Sequence, residues 1–197
     1  MEKPILFTPF SVQAILDGRK SQTRRICKPQ PYPDLDDRLD PIAKGILLDT
    51  LRTVKYQKGM ILWVRETWAP LTVGYAYRAD GIVNENFPGT KWHPSIFMPK
   101  AASRIKLEIT DIRIERLQNI SEEDARAEGI IWEELSDGYK SIGEWYKDYS
   151  RKKGANKMSK TWCANAVESY KTLWESINGK GSWEKNPWVW CISFKRL

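Results

Sequence analysis

The 197-residue chain is 41% hydrophobic and 29% charged, which excludes a disordered polymer and fits one folded domain, residues 1–197, with insertions. A net charge of +7 favours an anionic partner such as nucleic acid but does not select among anions. No apolar run approaches ~18 residues, no apolar segment follows Met1-Glu2-Lys3-Pro4, and Cys27, Cys163 and Cys191 lie far apart, so we expect no membrane span, no signal peptide, reduced thiols and a cytoplasmic location.

Pro4–Phe7 reads as a short strand, and Thr8-Pro9 as the N-cap and first position of a helix. Phe10, Ala14 and Leu16 fall along one side of that helix. Gly18 fits the position just past its end, because glycine takes positive φ at little steric cost. Ser21–Cys27 reads as the next strand. Lys28–Pro41, with four prolines and four aspartates, reads as a loop or mobile lid. It lacks the Gly and distal Glu of a calcium loop.

Ile42–Tyr56 is expected to hold a hairpin around Lys44-Gly45. Met60–Trp68 is rich in strand formers and should be a central strand after a turn at Lys58-Gly59. Val73–Arg78 reads as a further strand, with a turn at Asp80-Gly81, and residues 84–91 as loop. Arg104–Leu117 alternates as a long strand, with Ile105, Leu107 and Ile109 in one register and Ile112 and Ile114 in the other. A bulge near Thr110–Asp111 would reconcile the two halves. Ser121 should cap a short helix, with Asp124 as a short form of the capping box and Gly129 as its stop. Ser141–Ser150 reads as helical, and Arg151–Lys160 as a basic loop. A helix is expected from Thr161, with Trp162, Ala166, Tyr170, Leu173, Trp174 and Ile177 at helical spacing and Gly179 closing it. Trp188–Leu197 alternates as the last strand.

His93 is the single histidine, which removes mechanisms that need two, and its aromatic and proline neighbours favour a structural role. Asn178–Ser182 (NGKGS) lacks the earlier Gly and the following helix of a phosphate loop. A metal-dependent nuclease would need a carboxylate cluster, for which Glu66, Glu108 and Glu128 are the only guess; neither metal nor cofactor is expected. Lys20, Thr23 and Glu128 form a coherent reactive set. Threonine is a weak nucleophile that needs a base. Lysine serves as one if its pKa falls from about 10.4 toward 7. Burial and the neighbouring arginines would lower it and Glu128 would raise it. In an ideal strand Lys20 and Thr23 point to opposite faces, so they converge only if the chain turns between Gly18 and Ser21.

The segment Ala14–Arg25 (AILDGRKSQTRR), a helix end followed by Gly-Arg-Lys, Thr and Arg, resembles the signature of the ASCH family in the PUA-like superfamily. Ile120–Gly129 (ISEEDARAEG) is similar to the family's short acidic helix ending in Glu. The likeness covers residues 4–27, 57–68, 104–129 and 188–196, under half the chain. The rest reads as insertions near 28–56, 70–100 and 130–165. Trp92–Arg104 and Leu173–Trp190 resemble longer ASCH-type proteins of phage genomes. The resemblance implies an α+β fold: a PUA-like mixed β-barrel with flanking helices. One bacterial branch of the family hydrolyses the amide of N(4)-acetylcytidine, and the resemblance places its proposed catalytic residues on Lys20, Thr23 and Glu128. Arg25 matches the motif's terminal Arg and would orient the site or bind an anion.

Three functions fit these residues. One is nucleobase or RNA recognition with amidohydrolase activity on an acylated cytidine. A second is RNA binding without turnover, with Arg19, Arg24, Arg25, Lys152 and Lys153 as nucleic-acid contacts. The third is an accessory factor that binds a protein partner through the Trp-rich insertions; the ten tryptophans serve core and surface readings equally.

Overall fold

The computed structural model describes residues 2–28, 30, 56–81, 91–136, 141–150 and 162–197. Most of the expected loop at 28–41, most of the expected hairpin segment at 42–56, most of the loop at 84–91 and the basic loop at 151–160 lie outside them.

The fold is α+β. Its main sheet holds five strands in the order β1 (Glu2–Leu6), β3 (Ile61–Arg65), β6 (Lys106–Arg116), β10 (Trp188–Arg196) and β2 (Gln22–Ile26). β1 runs parallel to β3, and the remaining pairs are antiparallel. Among the described residues the sheet is open, so the expected barrel is not closed by a strand ladder. Helix α1 (Pro9–Leu16) carries the chain from β1 at one edge to β2 at the other. The two edges are bridged by a side chain, as the Arg25 guanidinium on β2 donates to the Leu6 carbonyl on β1 at 2.5 Å.

The bulge in β6 falls where alternation breaks. Ser193 pairs with Asp111 and Phe194 with Ile109, leaving Thr110 as the extra residue. β10 is buried on both faces. Trp188, Trp190, Ile192 and Phe194 enter one apolar cluster with Leu62, Leu107 and Ile109, while Val189 enters a second with Leu117, Tyr170 and Trp174. Each fully buried aliphatic side chain contributes about 1.5–3 kcal/mol relative to exposure.

Helix α1 begins as expected: Thr8 Oγ1 accepts the Ser11 N–H, and Pro9 occupies the first turn. Its buried side is Ser11, Val12, Ala14 and Ile15, whereas Phe10 and Leu16 are only partly buried. The strand expected over Met60–Trp68 breaks after Arg65. The chain then forms a small hairpin, β4 (Trp68–Pro70) with β5 (Tyr75–Tyr77). His93 is structural here: it stacks on Trp68 at 5.2 Å and exchanges backbone hydrogen bonds with it.

Helix α2 (Glu122–Ala127) is capped by Ser121 Oγ, which accepts the Asp124 N–H. Ser141–Ser150 is not helical. Its first seven residues are β8 (Ser141–Lys147), which pairs with β7 (Trp132–Ser136) and β9 (Trp162–Cys163). Helix α3 (Ala166–Asn178) therefore starts later than Thr161. Asn165 Oδ1 accepts the Glu168 N–H, and the Glu122 carboxylate of α2 accepts the Ala166 N–H at 2.7 Å. An acidic side chain at a helix start meets the positive end of the dipole, so Glu122 ties α2 to α3. No described helix is long and apolar enough to cross a membrane.

Candidate functional site

The turn after α1 sets the site. Gly18 takes φ +75°, and the Lys20 N–H reaches back to the Ala14 carbonyl at 2.9 Å. This turn brings Lys20 beside the end of α2, where the Ser21 N–H donates to the Ala127 carbonyl at 3.0 Å. Gly129 makes the approach possible. At φ +83°, a Cβ there would stand 2.8 Å from both the Ala14 and Lys20 Cβ atoms. Carbon atoms do not pack that closely, so only glycine lets α2 sit against this turn.

Lys20 Nζ donates to Glu128 Oε2 at 2.6 Å and to the Glu128 carbonyl at 2.8 Å. The two side chains are 3% and 4% exposed, so this ion pair is buried. Burial lowers the Lys20 pKa below its ordinary value. Attraction to Glu128 opposes that shift, and Arg25 and Arg24 add to it. The direction that sequence reasoning left open is thus set by desolvation.

The other Glu128 oxygen, Oε1, faces Arg24 Nη1 and the Tyr170 hydroxyl, each at 3.4 Å. Tyr170 is carried by α3 and is fully enclosed; burial, followed by repulsion from Glu128, holds its phenol well above 10. Sequence reading placed Tyr170 only in an apolar stripe. A phenol hydroxyl among otherwise apolar positions of that stripe was the available signal.

Arg24 is turned inward. Its side chain is 0% exposed and reaches Glu115 at 2.6 Å, Asp124 at 2.8 Å and Gln22 Oε1 at 2.7 Å. Burial disfavours its charge, but Glu128, with further groups behind it, holds the guanidinium above its usual range. Asp124 does not fold back as a capping box; its carboxylate receives Gln22, Arg24 and Arg113. Arg24, expected among the nucleic-acid contacts, has its charge matched inside the protein. Glu115 and Asp124 also lie within 4.8 Å of the Cys191 thiol, but Arg24 and Arg113 already occupy these carboxylates. Glu66 and Glu108 do not join Glu128: Glu66 is bound by Arg104 and Glu108 by Lys195.

Lys20, Thr23 and Glu128 line one cavity of about 700 Å³. That lies within the range of small-molecule sites, roughly 300–1,000 Å³. After the turn at Gly18, Lys20 and Thr23 both stand in the wall of that cavity. Thr23 is 4% exposed and held in the β2–β10 ladder opposite Ile192. Among the described residues no hydrogen bond engages its hydroxyl, and none links it to Lys20. Phe7, Tyr56 and Trp174 supply aromatic wall, and Arg25 and Lys28 complete the basic side. Arg25 packs over the Phe7 ring at 4.9 Å. Arg19 lies outside the cavity lining, bonded to the Gly129 carbonyl and Asp17. Lys152 and Lys153 fall outside the described residues.

No protein family matches the chain, and no curated protein does. Among solved structures it is similar to the crystal structure of an ASCH domain from Lactobacillus crispatus JV V101. The identity is 13% and the TM-score 0.38, over 99% of this chain and 79% of that one.

Proposed function

We propose that the cavity holds a nucleobase and that Lys20, Thr23 and Glu128 hydrolyse the amide of an N(4)-acylated cytosine. The observation that carries this reading is a buried Lys–Glu pair with a depressed lysine pKa, in the wall of a cavity that a threonine also lines. Neutral Lys20 takes the Thr23 hydroxyl proton as the oxygen attacks the acyl carbon. The tetrahedral intermediate collapses, and the protonated lysine returns that proton to the departing cytosine nitrogen. Water then cleaves the threonyl ester, releasing the carboxylic acid and restoring the hydroxyl. Glu128 holds Lys20 in place and stabilises its charged form. The contact between Lys20 and Thr23 closes on substrate, as catalytic hydrogen bonds often do. In the same reading the five-stranded sheet is the wall of a PUA-like barrel of the ASCH type.

The test is release of acid from a panel of N(4)-acylated cytidines. Wild type should turn over. Lys20→Ala and Thr23→Ala should each abolish turnover without adding, because base and nucleophile act as one unit. A folded wild type inactive on the whole panel refutes hydrolysis. The net charge of +7 favours a second reading, RNA binding without turnover, which predicts salt-sensitive RNA affinity in that inactive protein.

A further inference from the structure

Among the described residues the charges that line the cavity are unevenly matched. Lys20 is matched by Glu128, and Arg24 by Glu115 and Asp124 on its far side. Arg25 and Lys28 remain. Both line the cavity, and among the described residues neither forms an ion pair. Arg25 spends one N–H on the Leu6 carbonyl and lays its plane over Phe7. Its Nε is buried with no hydrogen-bond partner among the described residues. A half-buried guanidinium without a carboxylate, and with an unsatisfied donor, is costly unless something anionic completes it. Burial lowers the affinity of Arg25 for its own proton, whereas in Arg24 the same effect is outweighed by its neighbours, Glu128 first.

We propose that Arg25 and Lys28 form a phosphate subsite, so that the cavity's ligand is a mononucleotide rather than an uncharged nucleoside. This rests on the reading of the cavity as a base-binding site and narrows its substrate class. Two positive charges without a carboxylate partner among the described residues match a phosphomonoester, which carries close to two negative charges near neutral pH. The guanidinium fork suits phosphate geometry, and Lys28, exposed at the cavity wall, serves as a point charge. The placement also fits. Thr23 and Arg25 are alternate residues of β2, so they share a face about 7 Å apart along the strand. The arginine side chain extends that separation toward the span between the base edge and the phosphate of one nucleotide. The aromatic wall of Phe7 and Tyr56 lies on the same cavity. A single nucleotide is favoured over an RNA chain because Arg24, the neighbouring cation, is closed off by carboxylates and offers no second phosphate contact.

The experiment is calorimetric titration of the full chain at low salt with cytidine, cytidine 5′-monophosphate, ribose 5-phosphate and a short cytidine oligonucleotide. Charge-assisted hydrogen bonds of this kind should make the monophosphate bind about tenfold to a hundredfold tighter than cytidine. Arg25→Gln should erase that preference, so that cytidine and its monophosphate bind this variant alike. Lys28→Gln, at an exposed position that folding does not depend on, should reduce it in part. Equal affinity for cytidine and its monophosphate overturns the phosphate subsite and leaves base recognition standing. Binding of ribose 5-phosphate that Arg25→Gln removes, with no gain from the base, supports the subsite and sinks the base reading instead. Tight binding of the oligonucleotide with no binding of the monophosphate overturns the proposal in favour of an RNA surface.

Discussion

Gly129→Ala tests the contact on which the site depends. Alanine at φ +83° adopts a left-handed conformation that costs about 1–2 kcal/mol. Its Cβ also meets the Ala14 and Lys20 Cβ atoms at 2.8 Å. Neither neighbour is the end of a flexible side chain, so relief requires a shift of the α1 turn or of α2. Overpacking of this kind adds about 1–3 kcal/mol. The sum is about 2–5 kcal/mol, and in a chain of this size each kcal/mol moves Tm by roughly 2–4 °C. Gly18→Ala is the internal control. Gly18 has φ +75° but nothing within 4 Å of a built Cβ, so only the conformational cost applies. Urea denaturation of both variants isolates the steric part as their difference. The displaced α2 should also lengthen the Lys20–Glu128 contact, so Gly129→Ala should lose ligand binding where Gly18→Ala retains it. If Gly129→Ala costs no more than Gly18→Ala, the close approach is not what holds the site together.

Much of the frame was legible because local chemistry announces it. Thr8 and Ser121 read as caps, Gly18, Gly129 and Gly179 as stops, and all five behave that way. The phase change along Arg104–Leu117 located the bulge, since one residue must be skipped for both halves to face the core. The misreadings share a cause. Ser141–Lys147 has no strong period and becomes a strand only because residues 132–136 and 162–163 pair with it. Trp162 stands at helical spacing from Ala166 by coincidence, since it belongs to β9, whereas Ala166 opens the buried face of α3. The true start was spelled as Asn165 with Glu168 three residues on, and the Glu168 carboxylate reaches back to the Ala164 N–H. In the site, Lys20, Thr23 and Glu128 were legible as residue types. The split between Arg24 and Arg25 was not. Strand alternation sends them to opposite sides. The partners that neutralise Arg24 come from β6 and α2, about ninety to a hundred residues away.

Arg24→Met should destabilise the fold by about 3–5 kcal/mol in urea, because Glu115, Asp124 and Glu128 would lose a shared buried counterion; a loss under about 1 kcal/mol would refute that role. The pH dependence of stability tests the Lys20 shift. The unfolded lysine titrates near 10.4, and the folded one lower. Between those two values the unfolded chain holds more protons, so stability gains with rising pH. Below the folded value both states are protonated and the cost of burying the charge is fully present. The Cys191 thiol, pushed up to about 12 by burial, and the raised Tyr170 phenol act with the opposite sign, each holding its proton longer in the folded state. Both groups are present in wild type and in Lys20→Met, so the difference between the two proteins reports on the Lys20–Glu128 pair. The urea midpoint of wild type should therefore climb relative to Lys20→Met as pH rises toward about 10. Turnover should climb over the lower part of the same window, because only the neutral amine accepts the Thr23 proton. A wild-type advantage that shrinks with rising pH would mean that Glu128 raises the lysine pKa more than burial lowers it, and Lys20 would then be an anchor for Glu128 rather than a base.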